Sequence, residues 1–389
     1  MQNILPDNQH CTGCAACYNS CAHHAISMER DSEGFLNPKI DSTKCTDCGL
    51  CVKKCPVLSV PQQPENLRKV FAAYILDKSI RRRSSSGGLF PAFANYIYSK
   101  KGFVCASSFD EKLNLCFKMT DGLSELQKFQ GSKYVQSEVG EIYKEIKQLL
   151  RQEKPVLFIG TPCQVAGLKS YLSKPYANLI TIDLICHGVP SPGLFENYLK
   201  VIGLKMTSIP FNNYLFRHPK DSVYFLSSYE TIKGKLKYIP VNKHSYICAY
   251  LKGWIHRECC YSCPFTGDIR QGDCTIGDFW GILAGKVSFG GEKNMGVSMV
   301  MANTIKGSDL LSAVSDKLYL EEKSYEEAKI DNHNLYKPDT RPSQRDYSYH
   351  ELSSLSSEEF MKKYNCQLYL PTSLYRKIIS KLSNFIRLK

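Results

Sequence analysis

Long apolar runs, an export signal and nucleic-acid-binding motifs are all missing from this sequence. No stretch approaches the ~18 apolar residues that a membrane-spanning helix needs, which excludes an integral membrane protein. The chain starts MQNILPDNQHCTGC, without a basic segment followed by an apolar one, so we expect no secretory signal and a cytoplasmic protein. No nucleic-acid motif or RNP-like aromatic pattern is present, so we expect no nucleic-acid partner.

The composition that remains is typical of a folded, basic protein. With 389 residues, 43% of them apolar and 22% charged, the chain has room for two or three domains and is not disordered. Its 50 Lys and Arg against 37 Asp and Glu give a net charge of +13. Residues 1–60 hold five basic and six acidic side chains, so the rest carries the whole excess. A basic body suits phosphorylated cofactors, anionic substrates or a membrane surface.

Cysteine is the abundant exception. The chain has 18 cysteines, and eight of them lie within residues 1–55 as two copies of Cys-x2-Cys-x2-Cys-x3-Cys, the second followed by Pro56. This spacing is typical of bacterial ferredoxins, in which three cysteines of one copy bind a 4Fe-4S cluster and the fourth completes the other cluster. We therefore predict one cluster on Cys11, Cys14, Cys17 and Cys55, and a second on Cys45, Cys48, Cys51 and Cys21.

The alternative for these cysteines is a pair of structural zinc sites, but zinc prefers two separated Cys-x2-Cys pairs. Residues 1–60 are accordingly predicted to form an α+β, ferredoxin-like dicluster domain. Residues 57–69 read as a Pro- and Gln-containing linker. The linker and the difference in charge predict that this domain is a separable module.

The pattern after the linker predicts an α/β body. An apolar run at 70–76 reads as a strand, 89–100 as an amphipathic helix and 102–107 as a second strand. The loop at 84–88, Ser-Ser-Ser-Gly-Gly, combines glycines and hydroxyls beside three arginines, which suits a phosphate at a helix N-terminus. The alternative is an ordinary basic turn capped by a serine.

Four further cysteines have the arrangement of ligands. Cys163 follows a buried strand at 156–160, and Cys186 ends another at 179–186, so both are predicted at the carboxyl edge of a sheet, where α/β proteins bind ligands. Cys260 and Cys263 form a Cys-x2-Cys pair. Four thiolates suffice for a third 4Fe-4S cluster. Alternatively, Cys163 and Cys186 are small core residues, and the pair is half a zinc site.

Several motifs together resemble a known family, the beta subunit of coenzyme F-420 (deazaflavin) hydrogenase/dehydrogenase. They are SSSGGLF (84–90), GSKYVQS (131–137), GTPCQVAGL (160–168), DLICHGVPSP (183–192) and GDCTIGDFWG (272–281). The resemblance spans roughly residues 70–300 and implies a flavin- and iron–sulfur-binding oxidoreductase body.

The same resemblance implies where the cofactors bind. It implies FAD held in part by Ser84, Ser85, Ser86, Gly87, Gly88, Lys133 and Tyr134. It also implies a cluster beside the flavin, for which the assigned ligands are Cys163, Cys186, Cys260 and Cys263. Cys259 and Cys274 depart from the pattern, and either is an alternative ligand.

Three more residues are candidates within the site. His187 is the candidate proton donor beside the flavin, and the alternative is a structural hydrogen bond to the following turn. Asp273 and Asp278 either hold the flavin or cap turns, and the flanking glycines favour turn capping for Asp278.

The remainder of the chain carries little signal. We divide it into 1–60, 70–310 and a C-terminal extension, 311–389. Residues 373–389 hold five basic and no acidic side chains with helical apolar spacing. Such a helix either makes peripheral contact with an anionic membrane or docks on the body.

These features predict a flavin-dependent iron–sulfur oxidoreductase. It would pass electrons between 4Fe-4S clusters and FAD, and on to an unknown organic two-electron acceptor, or the reverse. A ferredoxin-like or other redox protein is the expected partner. The alternatives are a non-catalytic electron-transfer subunit or adaptor for a partner enzyme, and an iron–sulfur structural or sensing protein.

Overall fold

The structure is a computed structural model that describes residues 5–62, 66–204, 214–219, 226–231, 234–240 and 243–366. Its strands are β1 (Ile26–Arg30), β2 (Leu36–Ile40), β3 (Lys69–Ile75), β4 (Phe103–Phe109), β5 (Leu115–Thr120), β6 (Val156–Gly160), β7 (Leu179–Leu184), β8 (Ser227–Glu230), β9 (Leu236–Ile239), β10 (Cys274–Asp278), β11 (Ser298–Ala302) and β12 (Leu318–Lys323).

Helices alternate with these strands through most of the chain. They are α1 (Ala16–Ser20), α2 (Leu50–Lys53), α3 (Lys78–Arg83), α4 (Leu89–Ser99), α5 (Leu126–Phe129), α6 (Ile142–Arg151), α7 (Pro162–Leu172), α8 (Pro192–Val201), α9 (Ser245–Leu251), α10 (Trp280–Leu283), α11 (Ile305–Ala313), α12 (Tyr325–Lys329), α13 (Arg345–Glu351) and α14 (Ser357–Lys363).

One large mixed sheet organises the body. Among the described residues it has eight strands in the order β12-β3-β11-β10-β7-β6-β4-β5. The central strands β10, β7, β6 and β4 run parallel, and the strands on either side of them are antiparallel. The carboxyl ends of the four parallel strands therefore meet at one edge, which is where open α/β sheets bind ligands. The predicted α/β class is confirmed for the body.

Both faces of the sheet are covered, because successive strand side chains point to opposite sides. Val104 and Leu157 pack with α4 and α11 on one face. Cys105 and Phe158 pack with α6 and α7 on the other. Because each face of the sheet packs against helices, the side chains on both sides of these strands are apolar. The strands therefore appear in the sequence as unbroken apolar runs.

Helix α7 begins earlier than the sequence pattern indicates. The pattern places its start near Val165, but the helix starts at Pro162, so Cys163 lies in its first turn. A capping box between Thr161 and Gln164 and a proline at the first helical position explain the early start.

The N-terminal region has its own small α+β structure. It contains the antiparallel pair β1–β2 and the short helices α1 and α2. The β1–β2 hairpin presents Phe35, which is 2% exposed and belongs to an aromatic cluster of the body that includes Phe195 and Tyr349. The backbones of Gly34 and Gly193 touch so closely that a Cβ on Gly193 would lie 2.9 Å from the Cα of Gly34.

Two buried arginines of the body also hold this region. Arg257 donates to the carbonyl oxygens of Cys11 (2.7 Å) and Leu36 (3.1 Å). Arg345 donates to both carboxylate oxygens of Glu33, at 2.7 and 2.6 Å. The two regions therefore pack as one unit. The prediction of a separable N-terminal module is wrong in this respect, because the linker's composition says nothing about the surface that it connects.

The boundary proposed at residue 310 falls inside the sheet. Strand β12 lies beyond that residue and pairs with β3 in antiparallel register. Helices α13 and α14 then pack against the aromatic cluster, into which Tyr349 and Phe360 are buried. The predicted helix at 373–389 lies outside the described residues. In the part of the chain that the structure describes, no helix is long and apolar enough to cross a membrane.

Candidate functional site

The eight N-terminal cysteines form two groups. Each group lines its own cavity of about 20 Å³, and we call them the first and second cysteine groups. The first consists of Cys11, Cys14, Cys17 and Cys55, and the second of Cys21, Cys45, Cys48 and Cys51. In each group the fourth cysteine comes from the other copy of the motif, which is the exchange that the spacing predicts.

Backbone N–H groups donate to two of the sulfur atoms, while burial disfavours the thiolate form of the cysteines. The backbone N–H of Gly13 donates to Sγ of Cys11 (3.4 Å), and that of Ala25 donates to Sγ of Cys21 (3.3 Å). Burial, together with the negative charge of Cys11 and other neighbouring thiolates, raises the pKa of Cys14 to about 12. Buried thiolates that repel one another need a compensating cation, which an iron–sulfur cluster supplies.

The four cysteines of the body also meet, although 100 residues separate their extreme positions in the sequence. They line a cavity of about 30 Å³, and we call them the third cysteine group: Cys163, Cys186, Cys260 and Cys263. Burial raises the pKa of Cys163 and of Cys186, in each case helped by the charges of the other members. Among the described residues, no three His, Cys, Asp or Glu side chains are placed to share a single metal ion.

Cys259 and Cys274 occupy different places. Cys259 lines the same cavity as the third group, and its hydrogen bond with Cys260, together with burial, raises the pKa of Cys260. Cys274 lies in the core between the sheet and α11, and its thiol donates to the carbonyl oxygen of Gly307 (3.4 Å). The structure therefore keeps Cys259 next to the proposed ligands and places Cys274 away from their cavity.

The first and third cysteine groups lie close to each other. Thr12 lines both the cavity of the first group and that of the third. Arg257 lies beside it, 1% exposed, and donates to Gln136 and Asn37 as well as to the backbone of Cys11 and Leu36. All four of these acceptors are neutral. The guanidinium is thus a buried positive charge between two groups of thiolates.

A much larger cavity, of about 490 Å³, opens at the carboxyl edge of the parallel strands. Residues that end β6, β7 and β10 line it, as do the segment after β7 and the N-terminus of α4. Cys186, His187, Gly188 and Val189 line both this large cavity and the cavity of the third cysteine group. One short segment therefore separates the thiolates from a pocket of a size suited to an organic cofactor or substrate.

The loop predicted to bind phosphate forms part of this wall. Ser84, Ser85, Ser86 and Gly88 line the large cavity. Gly87 does not, because its N–H donates to Ser298 (2.9 Å), and an added Cβ would lie 2.2 Å from the carbonyl oxygen of Ala73. Gly87 is needed for this close approach to β3 and is not available to a phosphate. The other members of the loop remain proposed cofactor ligands.

Lys133 and Tyr134 also line the large cavity, and the neighbouring Ser132 donates its N–H to Oγ of Ser85 in that loop (2.8 Å). The ammonium of Lys133 donates to three carbonyl oxygens, of Phe129, Gln130 and Gly131, at 3.0, 3.1 and 3.3 Å. Burial lowers the pKa of Lys133 to about 7. No carboxylate is paired with it among the described residues, so an anionic ligand would supply the missing counter-charge.

Asp278 does more than cap a turn. Its carboxylate accepts two hydrogen bonds from the buried Arg217 (2.8 and 3.1 Å) and one from Ser86 (2.6 Å). The prediction that Asp278 caps a turn is therefore wrong, because its carboxylate connects the serine loop to β10 through hydrogen bonds. Asp273 also has a structural role, accepting from the N–H of Thr181 (2.8 Å) and the hydroxyl of Thr304 (2.9 Å).

His187 lies where the two cavities meet. Burial lowers its pKa, and its ring contacts His333 edge-on, with 6.2 Å between centroids. His333 also lines the large cavity and is hydrogen-bonded through Nε2 to Asp339. This arrangement keeps His187 a candidate for proton transfer.

Sequence reasoning missed several of these residues. Arg217, His333 and Asp339 belong to no recognisable motif, and the chain brings them to the site from distant segments. Arg257 stands two residues before Cys259 and was visible, but only the fold shows that its guanidinium reaches the N-terminal region. A basic residue next to a cysteine pair was the only available signal.

Two protein families match the chain. Residues 10–58 match the 4Fe-4S dicluster domain family. Residues 153–328 match the family described as the C terminus of the beta subunit of coenzyme F420 hydrogenase/dehydrogenase. The resemblance expected from the sequence motifs is therefore confirmed for residues 153–328. We call the N-terminal region that matches the 4Fe-4S dicluster family the dicluster domain, and this match supports an iron–sulfur redox role for it.

Individual relatives cover different shares of the chain. Pyruvate synthase subunit PorD of Methanocaldococcus jannaschii is 37% identical over 59 residues, which are 15% of this chain and 64% of that protein. The chain thus spans less than two thirds of that curated relative. A solved structure of the F420-reducing [NiFe] hydrogenase complex from Methanosarcina barkeri superposes with a TM-score of 0.46 and 16% identity, covering 78% of this chain and 94% of that one.

Proposed function

We propose that this protein is an iron–sulfur flavoprotein oxidoreductase related to the beta subunit family that residues 153–328 match. It would exchange electrons with a redox protein through the dicluster domain and with an organic two-electron acceptor or donor at the large cavity. The observation that carries the proposal is the shared wall at residues 186–189, which places the third cysteine group directly against the large cavity.

The residues present fit the proposed cofactors. Each of the three cysteine groups has four sulfur donors around a small cavity, as a 4Fe-4S cluster requires. The large cavity offers the N-terminus of α4 and the ammonium of Lys133 to the phosphates of a dinucleotide such as FAD. When bound, FAD exchanges electrons singly with clusters and in pairs with organic molecules.

The protein's own residues have defined tasks in this proposal. Lys133, whose three N–H donors bind backbone carbonyl oxygens, would attract phosphate through its charge. Asp278 would hold Ser86 in place on the cavity wall, and Arg217 would support the Asp278 carboxylate. His187 would hold or release a proton at the point where the cavities meet. The third cysteine group would keep its metal away from solvent while leaving it next to the large cavity.

Cofactor analysis of anaerobically purified full-length protein tests the proposal. We expect about twelve irons, about twelve sulfides and about one FAD per chain, since three cubane clusters each hold four irons. Cys263→Ser should remove about four irons and leave the spectroscopic signal of the dicluster domain intact. Cys116→Ser, which changes a half-buried cysteine outside the three cavities, is the matched control.

Each part can fail separately. About eight irons, unchanged by Cys263→Ser, would eliminate the third cluster. Full iron with no flavin would eliminate the flavoprotein and favour a non-catalytic electron-transfer subunit for a partner enzyme.

A further inference from the structure

Four cations lie together where three helices end, and we call them the basic patch: Lys54, Lys147, Arg151 and Lys174. Lys54 is the C-cap of α2, Lys147 and Arg151 occupy one turn at the end of α6, and Lys174 follows the C-cap of α7. The ammonium of Lys54 donates to the hydroxyl of Ser173, next to Lys174. Helix C-termini favour nearby positive charge, which explains how so many cations are tolerated together.

The charge of the basic patch is not neutralised within the described residues, where none of its four members forms an ion pair. Lys144, one turn earlier on α6, does have such a partner in Glu141 (2.6 Å). Lys147 and Lys174 instead lie over the rings of Tyr171 (4.8 Å) and Tyr176 (5.1 Å). Burial and the charges of the other three members lower the pKa of Lys147, so the cations repel one another.

The basic patch borders the dicluster domain. Lys54 directly precedes Cys55 of the first cysteine group and stands three residues after Cys51 of the second. The second group also contains Cys48, which is exposed. Helix α1, which carries Cys17, packs against α2, α6 and α7, the three helices whose ends form the patch. The unneutralised charge is thus at the part of the molecule where a protein donor would reach a cluster.

We propose that the basic patch is the docking surface for an acidic, one-electron redox protein, with a carboxylate-rich face around its own redox centre. The proposal rests on the part of the proposed function in which electrons enter through the dicluster domain. In the docked pair the donor is oxidised by one electron and the dicluster domain is reduced by one. No bond or proton changes.

Charge complementarity and position together select this partner. Opposite charges on two proteins accelerate encounter and fix their orientation, and such interfaces need little buried apolar area. An anionic membrane or a nucleic acid would meet the same charge, but neither would make use of the neighbouring cysteine groups.

Binding and reduction by a reduced, acidic 4Fe-4S ferredoxin test the proposal on the full-length, cluster-loaded chain. Calorimetry with the oxidised ferredoxin gives the dissociation constant, and stopped-flow bleaching of cluster absorbance gives the rate. The double variant Lys147→Glu/Lys174→Glu should weaken binding and slow reduction by about tenfold or more at low ionic strength. Raising the salt concentration should reduce the wild-type rate toward that of the variant.

The control changes the same charge elsewhere. Lys235→Glu/Lys237→Glu alters two exposed lysines of the β8–β9 hairpin and should leave binding close to wild type. Lys147→Gln/Lys174→Gln, which removes charge without reversing it, should give a smaller loss. Reduced methyl viologen should bleach all the variants at similar rates, showing that their clusters are intact.

The proposal would be overturned if Lys147→Glu/Lys174→Glu bound the ferredoxin as tightly as the wild type does. It would also be overturned if Lys235→Glu/Lys237→Glu lost as much affinity as that variant. Patch-dependent binding to anionic vesicles or to RNA with no affinity for the ferredoxin would overturn it as well. None of these measurements involves the large cavity, so a protein that proves to lack flavin would leave their result standing.

Discussion

Lys133 is the residue at which electrostatics bear most directly on ligand binding. Burial disfavours its charged form and lowers its pKa to about 7, from about 10.4 for a free lysine. The folded protein therefore carries a destabilising buried charge below about pH 7, and this cost disappears as the pH rises from about 7 to about 10. An anionic ligand reverses the preference, because it favours the ammonium.

This pKa predicts how flavin affinity depends on pH. The affinity of the apo-flavin protein for FAD should fall by about tenfold between about pH 6 and about pH 9, as the free protein loses the proton from Lys133. Lys133→Met should bind FAD weakly and without this dependence. Fluorescence titration at several pH values measures both, and a flat wild-type profile would show that Lys133 does not contact the phosphates.

At the scale of elements, helix α7 links two cysteine groups. Its first turn carries Cys163, and its midpoint packs on Cys14 at Gly167. A Cβ on Gly167 would lie 3.0 Å from the Cβ of Cys14 and 3.0 Å from the hydroxyl of Tyr143. The glycine is there for close approach, although alanine is the better helix former.

Gly167→Ala should therefore destabilise the protein, although helix propensity alone predicts that alanine raises the free energy of unfolding by about 1 kcal/mol. We expect a loss of about 1–3 kcal/mol from overpacking and release of iron from the first cysteine group. Thermal unfolding and iron analysis measure the two effects. Ser170→Ala, on the same helix away from this contact, should change neither, and a stabilised Gly167→Ala would mean that the contact readily relaxes.

Local patterns predicted most elements and the membership of the cysteine groups. Spacing sufficed for the N-terminal cysteines, since the ligand loops are short and repeated. The sheet edge that joins Cys163 and Cys186 followed from apolar strand runs. Asp278 was misjudged because its partner, Arg217, lies 61 residues away and approaches only in the folded chain. Long-range polar contacts of this kind leave no periodic trace in a sequence.

At the scale of the whole molecule, the N-terminal region is held by buried charge. Arg257 and Arg345 are 1% and 3% exposed, and both donate into that region. Deleting residues 1–60 would remove the Glu33 carboxylate that pairs with Arg345 and three of the four acceptors of Arg257, and it would expose surface that these contacts now cover.

Cutting the linker therefore should not separate the two parts. A protease site placed within residues 57–69 should yield, after cleavage, an N-terminal fragment that still co-elutes with the body in gel filtration at physiological ionic strength. The same cut in Arg257→Ala/Arg345→Ala should release the fragment. Separation of the wild-type fragments on cleavage would show that these contacts do not hold the regions together.

The exposure of Cys48 has a consequence for the sensitivity of the protein to oxygen. Oxygen and peroxide reach sulfur and its bound iron from the solvent, so damage follows accessibility. The second cysteine group contains this exposed member, whereas no member of the first or third group is exposed. In the proposed electron route, oxidation should therefore damage the second cluster before the third.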